Sequence, residues 1–389
     1  MAMIAFELAE HQRDLRELAA RVAREVYAPL AVEWDRDGTF VAADERRRLA
    51  DLGFLGICLP EEQGGAGLDL TDALVVIEEL AKANQPAAFQ VFEANTGPAR
   101  VIDLFGTPDQ RDRWLTPIVA GEATMAVAIS EPDAGSAATD IATTAVPTTD
   151  GYVINGMKRW CSGGGHAELY LVYVRLDDTP GARGIGAIVV EAGTPGLTFG
   201  PNETLHGFHG IPSADLFFDG VTVPAENLVV GAGGFKRLFG AFSIERLGNA
   251  TMSLAIGQAC LDRTSRYVQE RRQFGKPLIE FQAVQLRIAD MLLAVEGTRL
   301  LIWRAAAAAG RGVPDTLAAS LAKCHANEMA KAVSDTAMEL HGGYGYHPEY
   351  EVERMHRDAH GWAMGGGTPT IQRIRIASEY LGLSFNQRS

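Results

Sequence analysis

Residues 152–161 read YVINGMKRWC. β-Branched and aromatic residues alternate with polar ones, and Asn155–Gly156 stands in the middle. That pair favours a type I′ turn, so the pattern predicts two short strands meeting there. LYLVYVRL, GIGAIVVEA, GLTFG and ADLFFDGVTVP follow at short intervals, separated by turn residues. Together they predict a compact β domain over residues 125–233.

Both flanks have a different texture. Residues 1–124 are rich in Ala, Leu, Glu and Arg, with helical spacing broken by Gly and Pro. Near the start, Leu15, Leu18, Val22 and Val26 lie on one helical face. LPEEQGGAGLDL (59–70) is a loop before a helix that Asp69 or Thr71 would cap, with Asp72 near the positive end of its dipole. From residue 234 to 389 long helices return. Phe281, Val284, Ile288, Met291 and Val295 repeat at the spacing of a bundle seam. The fold class expected is mainly α with a central β domain: residues 1–124 helical, 125–233 β and 234–389 a helical bundle.

The chain of 389 residues is 47% hydrophobic and 22% charged, ample for a large core. Its net charge of -14 argues against a general nucleic-acid binder and against docking on anionic membranes. The first residues lack the uninterrupted apolar run of a signal peptide, and no run is long enough to span a membrane. Cys58, Cys161, Cys260 and Cys324 are far apart, with no CxxC, and read as free thiols. A soluble cytoplasmic protein is expected.

Several motifs fail. No GxGxxG follows a strand, RRQFGKP lacks the upstream glycine of a phosphate loop, and neither GxSxG nor HExxH occurs. His356 and His360 are four apart on an expected helix, but ERMHRDAHGW supplies no third ligand; they read as helix-surface histidines, and no metal site is assigned.

Four segments in order resemble the acyl-CoA dehydrogenase family. AISEPDAGSAATD (128–140) is similar to the flavin-contacting TEPxAGSD loop, and NGMKRWCSGG (155–164) to the GxKxWITNG strand. VQERRQFGKPLIEFQ (268–282) is similar to ERxxFGxPIxxFQ. ELHGGYGYHPEYEVERMHRDAH with GGTPTIQR is similar to QxxGGxGYxxEYPVERxxRDA with EGTSEIQR. The resemblance covers nearly the whole chain. It implies a helical N-terminal domain, a middle β-barrel or sandwich and a C-terminal four-helix bundle, usually as a homotetramer. It implies FAD as cofactor and removal of two hydrogens from an acyl-CoA to give the 2-enoyl-CoA, with electrons passed to an electron-transferring flavoprotein.

The same resemblance assigns residues. Trp160 would stack on the flavin ring and Ser162 would hydrogen-bond near N5, while Ile129 and Ser130 line the pyrimidine edge. Arg271, Gln273 and Phe274 match residues that bind the FAD diphosphate and adenine end across a subunit contact; a guanidinium suits a diphosphate. Gly342 and Gly343 would let backbone approach the cofactor. Glu339 stands where the family usually has Gln. Thr368, with Thr370 in the same motif, would cap the last helix and turn its N-terminus towards FAD phosphate. Ser136, Arg246 and Gly367 match substrate-side positions, and Ala137 replaces the family's Asp.

The expected reaction needs a carboxylate at the substrate α-carbon. In most of the family it is the Glu of EGT, where this chain has Gly366; the Gly366 N–H still suits the thioester oxygen. In the isovaleryl-CoA and long-chain branches the base lies in an ERL segment on the first bundle helix. FSIERLGNA places Glu245 there, beside Arg246. Glu245 is therefore the expected base, with a pKa raised by burial. Glycines at 365, 366 and 367 leave space around the acyl chain, which suits branched, alicyclic or arylated substrates. Two other readings keep the fold: another flavin reaction (monooxygenase, oxidase or sulfinate elimination), and a non-catalytic subunit that binds FAD or CoA.

Overall fold

The computed structural model describes residues 7–385; part of the amino-terminal stretch weighed as a signal peptide, residues 1–6, lies outside them. The amino-terminal part holds α1 (Glu10–Val22), α2 (Ala31–Asp37), α3 (Ala43–Asp51), α4 (Leu70–Ala83), α5 (Gln85–Asn95), α6 (Ala99–Phe105) and α7 (Pro108–Val119). Asp69 is the N-cap of α4, and its N–H donates to Asp72 Oδ2 at 2.8 Å. Every α4 residue from Leu70 to Ala81 is buried, because α1, α5 and α8 (Phe235–Glu270) all pack on it. A helix apolar nearly all round is a helix with no solvent face.

The middle part is one eight-stranded sheet. Its strands are β1 (Met125–Ala128), β2 (Thr144–Pro147), β3 (Gly151–Ser162), β4 (Leu169–Arg175), β5 (Ile185–Glu191), β6 (Leu197–Phe199), β7 (Ser213–Pro224) and β8 (Leu228–Val230). They run in the order β6-β7-β3-β2-β4-β5-β8, with β1 parallel to β4. β4 is buried on both faces: Leu171 and Tyr173 join the helical core, while Tyr170, Val172 and Val174 fill a second core within the sheet.

Asn155–Gly156 is not a turn. The chain passes straight through it as β3, a single twelve-residue strand antiparallel to β7. The reversal before β3 comes at residues 148–150, where Thr148 N–H donates to Gly151 O at 2.8 Å. Gly156 instead marks a bulge at φ +139°, and a Cβ there would stand 2.6 Å from Thr143 Oγ1. Close backbone approach explains the glycine, a use of strand glycine that competes with the turn reading. A second bulge lies between Lys158 and Cys161.

The carboxy-terminal part contains α8, α9 (Gln282–Ala309), α10 (Thr316–His341), α11 (Val352–Met364) and α12 (Pro369–Leu381). α10 packs against each of the other four. Met291 and Val295 of the expected α9 seam are buried, and Val284 and Ile288 are half-buried. The other side of α9 leaves Leu286, Leu292, Leu293 and Leu300 exposed. No helix is long and apolar enough to cross a membrane among the described residues.

Candidate active site

Three helices of the bundle converge on residues 365–367, the loop joining α11 to α12. Gly366 and Gly367 have φ of +66° and +88°, a conformation that disfavours any side chain. Lys323 rises from the small-residue seam of α10, fully buried, and its ammonium donates to Gly365 O and Gly367 O, both at 2.7 Å. From α12 the Gln372 amide donates to Gly366 O at 3.2 Å and Gly367 O at 3.1 Å. All three loop carbonyls are thus held from beneath. Asn249, Ser253 and Asn327 extend this buried polar layer, with Asn249 Nδ2 donating to Trp362 O at 3.2 Å.

Glu245 comes from α8 to the same loop. A Cβ built on Gly366 would lie 3.1 Å from its Oε2 and 3.2 Å from its Oε1. Oε2 is buried without a hydrogen-bond partner. Burial pushes the carboxyl pKa up to about 7, against the opposing pull of Lys323 and Arg246. The Lys323 ammonium is pushed down to about 8, mainly by burial, with Glu245 opposing.

More unsatisfied polar atoms surround the carboxylate. They include Arg246 Nε and Nη1, Tyr173 OH and Gln372 Oε1. Arg246 and Tyr173 both interact electrostatically with Glu245. Buried polar atoms are almost always partnered in folded proteins, by protein, ordered water or a ligand, so this group of orphans is a place where a bound molecule or water completes the hydrogen bonding.

The sheet contributes a second wall. Between Lys158 and Cys161 the bulge forces Trp160 to φ +61° and turns it outward, half-exposed, with the Arg159 guanidinium 4.3 Å from its ring centroid. Bulges beside functional sites re-aim side chains in this way, and a non-glycine residue held at positive φ is a strained position. Ile129 and Ser130 are half-buried on the adjoining loop, fixed by their carbonyls: Lys158 Nζ donates to Ile129 O at 3.0 Å and Arg159 N–H to Ser130 O at 2.8 Å. Buried Lys158 pairs with Glu131 at 2.7 Å, and Glu131 also accepts from the N–H groups of Ala142 and Thr143. Ser162 ends β3 and lines a cavity of ≈ 80 Å³ with Phe89, Gln90, Glu93 and Met125.

A larger cavity of ≈ 590 Å³ lies at the far ends of α8 and α10. Arg271, Gln273, Glu339, Gly342 and Gly343 line it together. Open space meets any Cβ built on Gly342 or Gly343. Glu339 is ion-paired with Arg287 on α9. Phe274, at φ +51°, is 93% exposed, its apolar ring touched only edge-on by Phe281 of its own chain among the aromatic contacts of the described residues. None of Ile129, Ser130, Trp160 and Ser162 lines this cavity, so the candidate cofactor residues fall into two groups on one chain. Thr368 is the N-cap of α12, its Oγ1 accepting from Ile371 N–H at 3.3 Å; Thr370 and Ser136 are exposed. His356 and His360 meet edge to face on α11, and no group of three potential metal ligands occurs among the described residues.

Lys323, Gln372, Lys158, Glu131 and Glu93 were not singled out from sequence. Lys323 carried a signal: it stands in line with Ala319, Ala326 and Ala330 of α10, where the periodicity calls for a small apolar residue.

Three family models cover these parts in turn: the acyl-CoA dehydrogenase N-terminal domain over residues 9–122, the middle domain over 126–221 and the C-terminal domain over 232–381. The chain belongs to the acyl-CoA dehydrogenase family. It is 37% identical to a 3-sulfinopropanoyl-CoA desulfinase of Paraburkholderia xenovorans, covering 98% of this chain and 99% of that one. It is 38% identical to a cyclohex-1-ene-1-carbonyl-CoA dehydrogenase of Syntrophus aciditrophicus, over 95% and 89%. The solved structure of butyryl-CoA dehydrogenase from Megasphaera elsdenii superposes with a TM-score of 0.94 at 34% identity, over 97% and 100%. Acyl-CoA dehydrogenases are flavin oxidoreductases, but desulfination and dehydrogenation share this scaffold, so the reaction has to be argued from the site.

Proposed function

We propose that this acyl-CoA dehydrogenase homologue removes the α-proton of an acyl-CoA with Glu245 and yields the 2-enoyl-CoA. The observation that carries the reading is the Glu245 carboxylate seated against Gly366, where the loop itself has no side chain. A buried carboxylate with a pKa near neutrality is suited to accept a weakly acidic proton. Gly366 N–H serves as a donor to the thioester oxygen, on a loop that Lys323 and Gln372 hold rigid. Arg246 brings unpartnered guanidinium donors; Ser136 and Gly367 are proposed on the substrate side with it.

FAD fits the two groups of residues. Trp160 offers an exposed flat ring beside Ile129, Ser130 and Ser162, and the larger cavity offers Arg271, Gln273, Glu339, Gly342 and Gly343 for a dinucleotide's polar end. Thr368 and Thr370, at the start of α12, suit a phosphate. FAD held by these residues would supply the acceptor for the substrate's β-hydride. The division of these residues between two places, with Phe274 largely exposed, supports a homotetramer in which a neighbour completes each FAD site. An electron-transferring flavoprotein is the proposed electron acceptor and the cytoplasm the proposed location. A branched or cyclic acyl chain is part of the proposal, but the glycine loop does not argue for it: the Glu245 carboxylate fills the space beside Gly366, and the Gln372 amide that beside Gly367.

The test is anaerobic bleaching of the purified flavoprotein by straight, branched and cyclic acyl-CoAs. Bleaching that Glu245→Gln abolishes supports the reading; flavin that stays oxidised with every thioester overturns it. Sulfinate release from a sulfinoacyl-CoA without bleaching would establish the desulfinase reaction of the relative instead.

A further inference from the structure

The Arg159 guanidinium lies over one face of the Trp160 indole, 4.3 Å from its centroid. Both residues stand in the second bulge of β3, where Trp160 takes φ +61° and stays 53% exposed. The guanidinium is held in place: its Nη1 donates to Asp215 Oδ2 at 2.9 Å and its Nη2 to Glu203 Oε1 at 3.2 Å. Both carboxylates sit on fixed backbone. Asp215 belongs to β7 and is buried, while Glu203 N–H donates to Ser213 O at 2.8 Å and Ser213 N–H to Asn202 Oδ1 at 2.9 Å. Asp215 Oδ1 is buried without a hydrogen-bond partner, and Arg159 is the cation that pairs with both acids. The backbone N–H of Arg159 donates in turn to Ser130 O, on the loop beside Trp160.

An exposed tryptophan held at positive φ, with a cation laid on one face, keeps its other face for a flat ligand. The group proposed to stack there is the flavin. A hydride delivered to a flavin adds one negative charge, so positive charge nearby favours reduction and negative charge opposes it. The cluster behind Trp160 holds one cation and two carboxylates, and the cation is the member laid against the indole. With Arg159 in place the two acids are largely screened. Without it they act in full.

We propose that Arg159 is a positioning residue for the cofactor: it clamps Trp160 from the face away from the flavin, screens Glu203 and Asp215, and so raises the reduction potential of the bound flavin. This rests on the reading of Trp160 as the flavin's stacking partner and goes beyond it, because Arg159 acts through the indole and through charge rather than by contact. Lysine at this position would keep the charge but lose the planar fork that spans both acids and lies flat on the ring.

The experiment uses the full chain as wild type, Arg159→Met, Arg159→Lys and a triple variant, Arg159→Met with Glu203→Gln and Asp215→Asn. FAD affinity is measured by calorimetry on the apoprotein. The midpoint potential is measured by dye equilibration during anaerobic reduction, with no thioester present. Arg159→Met should shift the flavin equilibrium about tenfold towards the oxidised form, about 30 mV lower for a two-electron couple. Arg159→Lys should hold the potential close to wild type. The triple variant should recover it to wild type or above, because the acids leave with the cation. A merely structural loss would weaken FAD binding without that recovery. Three results would overturn the proposal: a potential unchanged in Arg159→Met, a triple variant as low as the single one, or tighter FAD binding by Arg159→Met, which would put the guanidinium where the flavin belongs. Wild type that takes up no FAD overturns the cofactor reading and this proposal together. Flavin that no thioester bleaches overturns the dehydrogenase reading alone, and the potentials still decide the role of Arg159.

Discussion

The carboxylate of Glu245 occupies the space that a side chain on Gly366 would enter, with both oxygens within 3.2 Å of the position of that glycine's missing Cβ. The acid from α8 and the bare loop are therefore complementary: a side chain at position 366 would press on the carboxylate. Gly366→Ala tests the relationship directly. The added methyl meets the carboxylate and imposes a side chain at φ +66°. Turnover should fall by about 10- to 100-fold, as for a catalytic group displaced by a fraction of an ångström, with flavin content kept.

Glu245→Gln should lower the bleaching rate by about 10²- to 10⁴-fold, the usual worth of a positioned base, while acyl-CoA binding persists. In the wild type the rate should rise with pH as the carboxyl ionises, along a limb near pH 7. The direction follows from the chemistry: only the deprotonated form accepts the proton. A fall on the alkaline side should follow as Lys323 loses its proton, and the two limbs belong to the pair.

Lys323→Met removes the positive charge that opposes the rise in the Glu245 pKa. The acid limb of the pH–rate profile should move to higher pH. A merely structural loss would lower the rate at every pH without moving the limb. Lys323→Arg, which keeps the charge, should restore the position of the limb better than the rate.

Lys158→Met would leave Glu131 buried and unpaired beneath the loop of Ile129 and Ser130. Removing one partner of a buried ion pair costs about 3–5 kcal/mol, measurable as a lower midpoint in urea unfolding. Flavin retention should drop with it, because the Ile129 carbonyl loses its anchor.

Leu286→Asp with Leu293→Asp tests the proposed assembly. Both leucines are exposed on α9, 60% and 72%. Sedimentation should show a smaller species than wild type, with less bound FAD. An unchanged sedimentation coefficient would mean that this face is free.

The helical flanks and the central strands were legible from composition, spacing and turn residues, but the depth of burial was not: α4 and β4 are buried on every face, beyond what a periodic apolar stripe predicts. Asn155–Gly156 misled because the same dipeptide serves a tight turn or a bulge, and only the β7 strand paired alongside decides between them. Glu245 and Gly366 were legible as residues but not as neighbours: 121 positions separate them, and only the packing of α8 against α10 and α11 brings them together. Lys323 and Glu93 stayed hidden for a related reason. A single ionisable residue in an apolar helix reads as a surface position until the partners, or the lack of them, are visible.

The carbonyls of residues 365–367 are gripped from α10 and α12, whereas the acid beside them belongs to α8. Proton removal and the shaping of the acyl site are thereby assigned to different pieces of chain. Substitutions in the wall formed by α5, or small changes in the loop that keep its left-handed turns, can alter which thioester is accepted while the base stays where the helix holds it. A scaffold arranged this way can change its diet without relearning its chemistry.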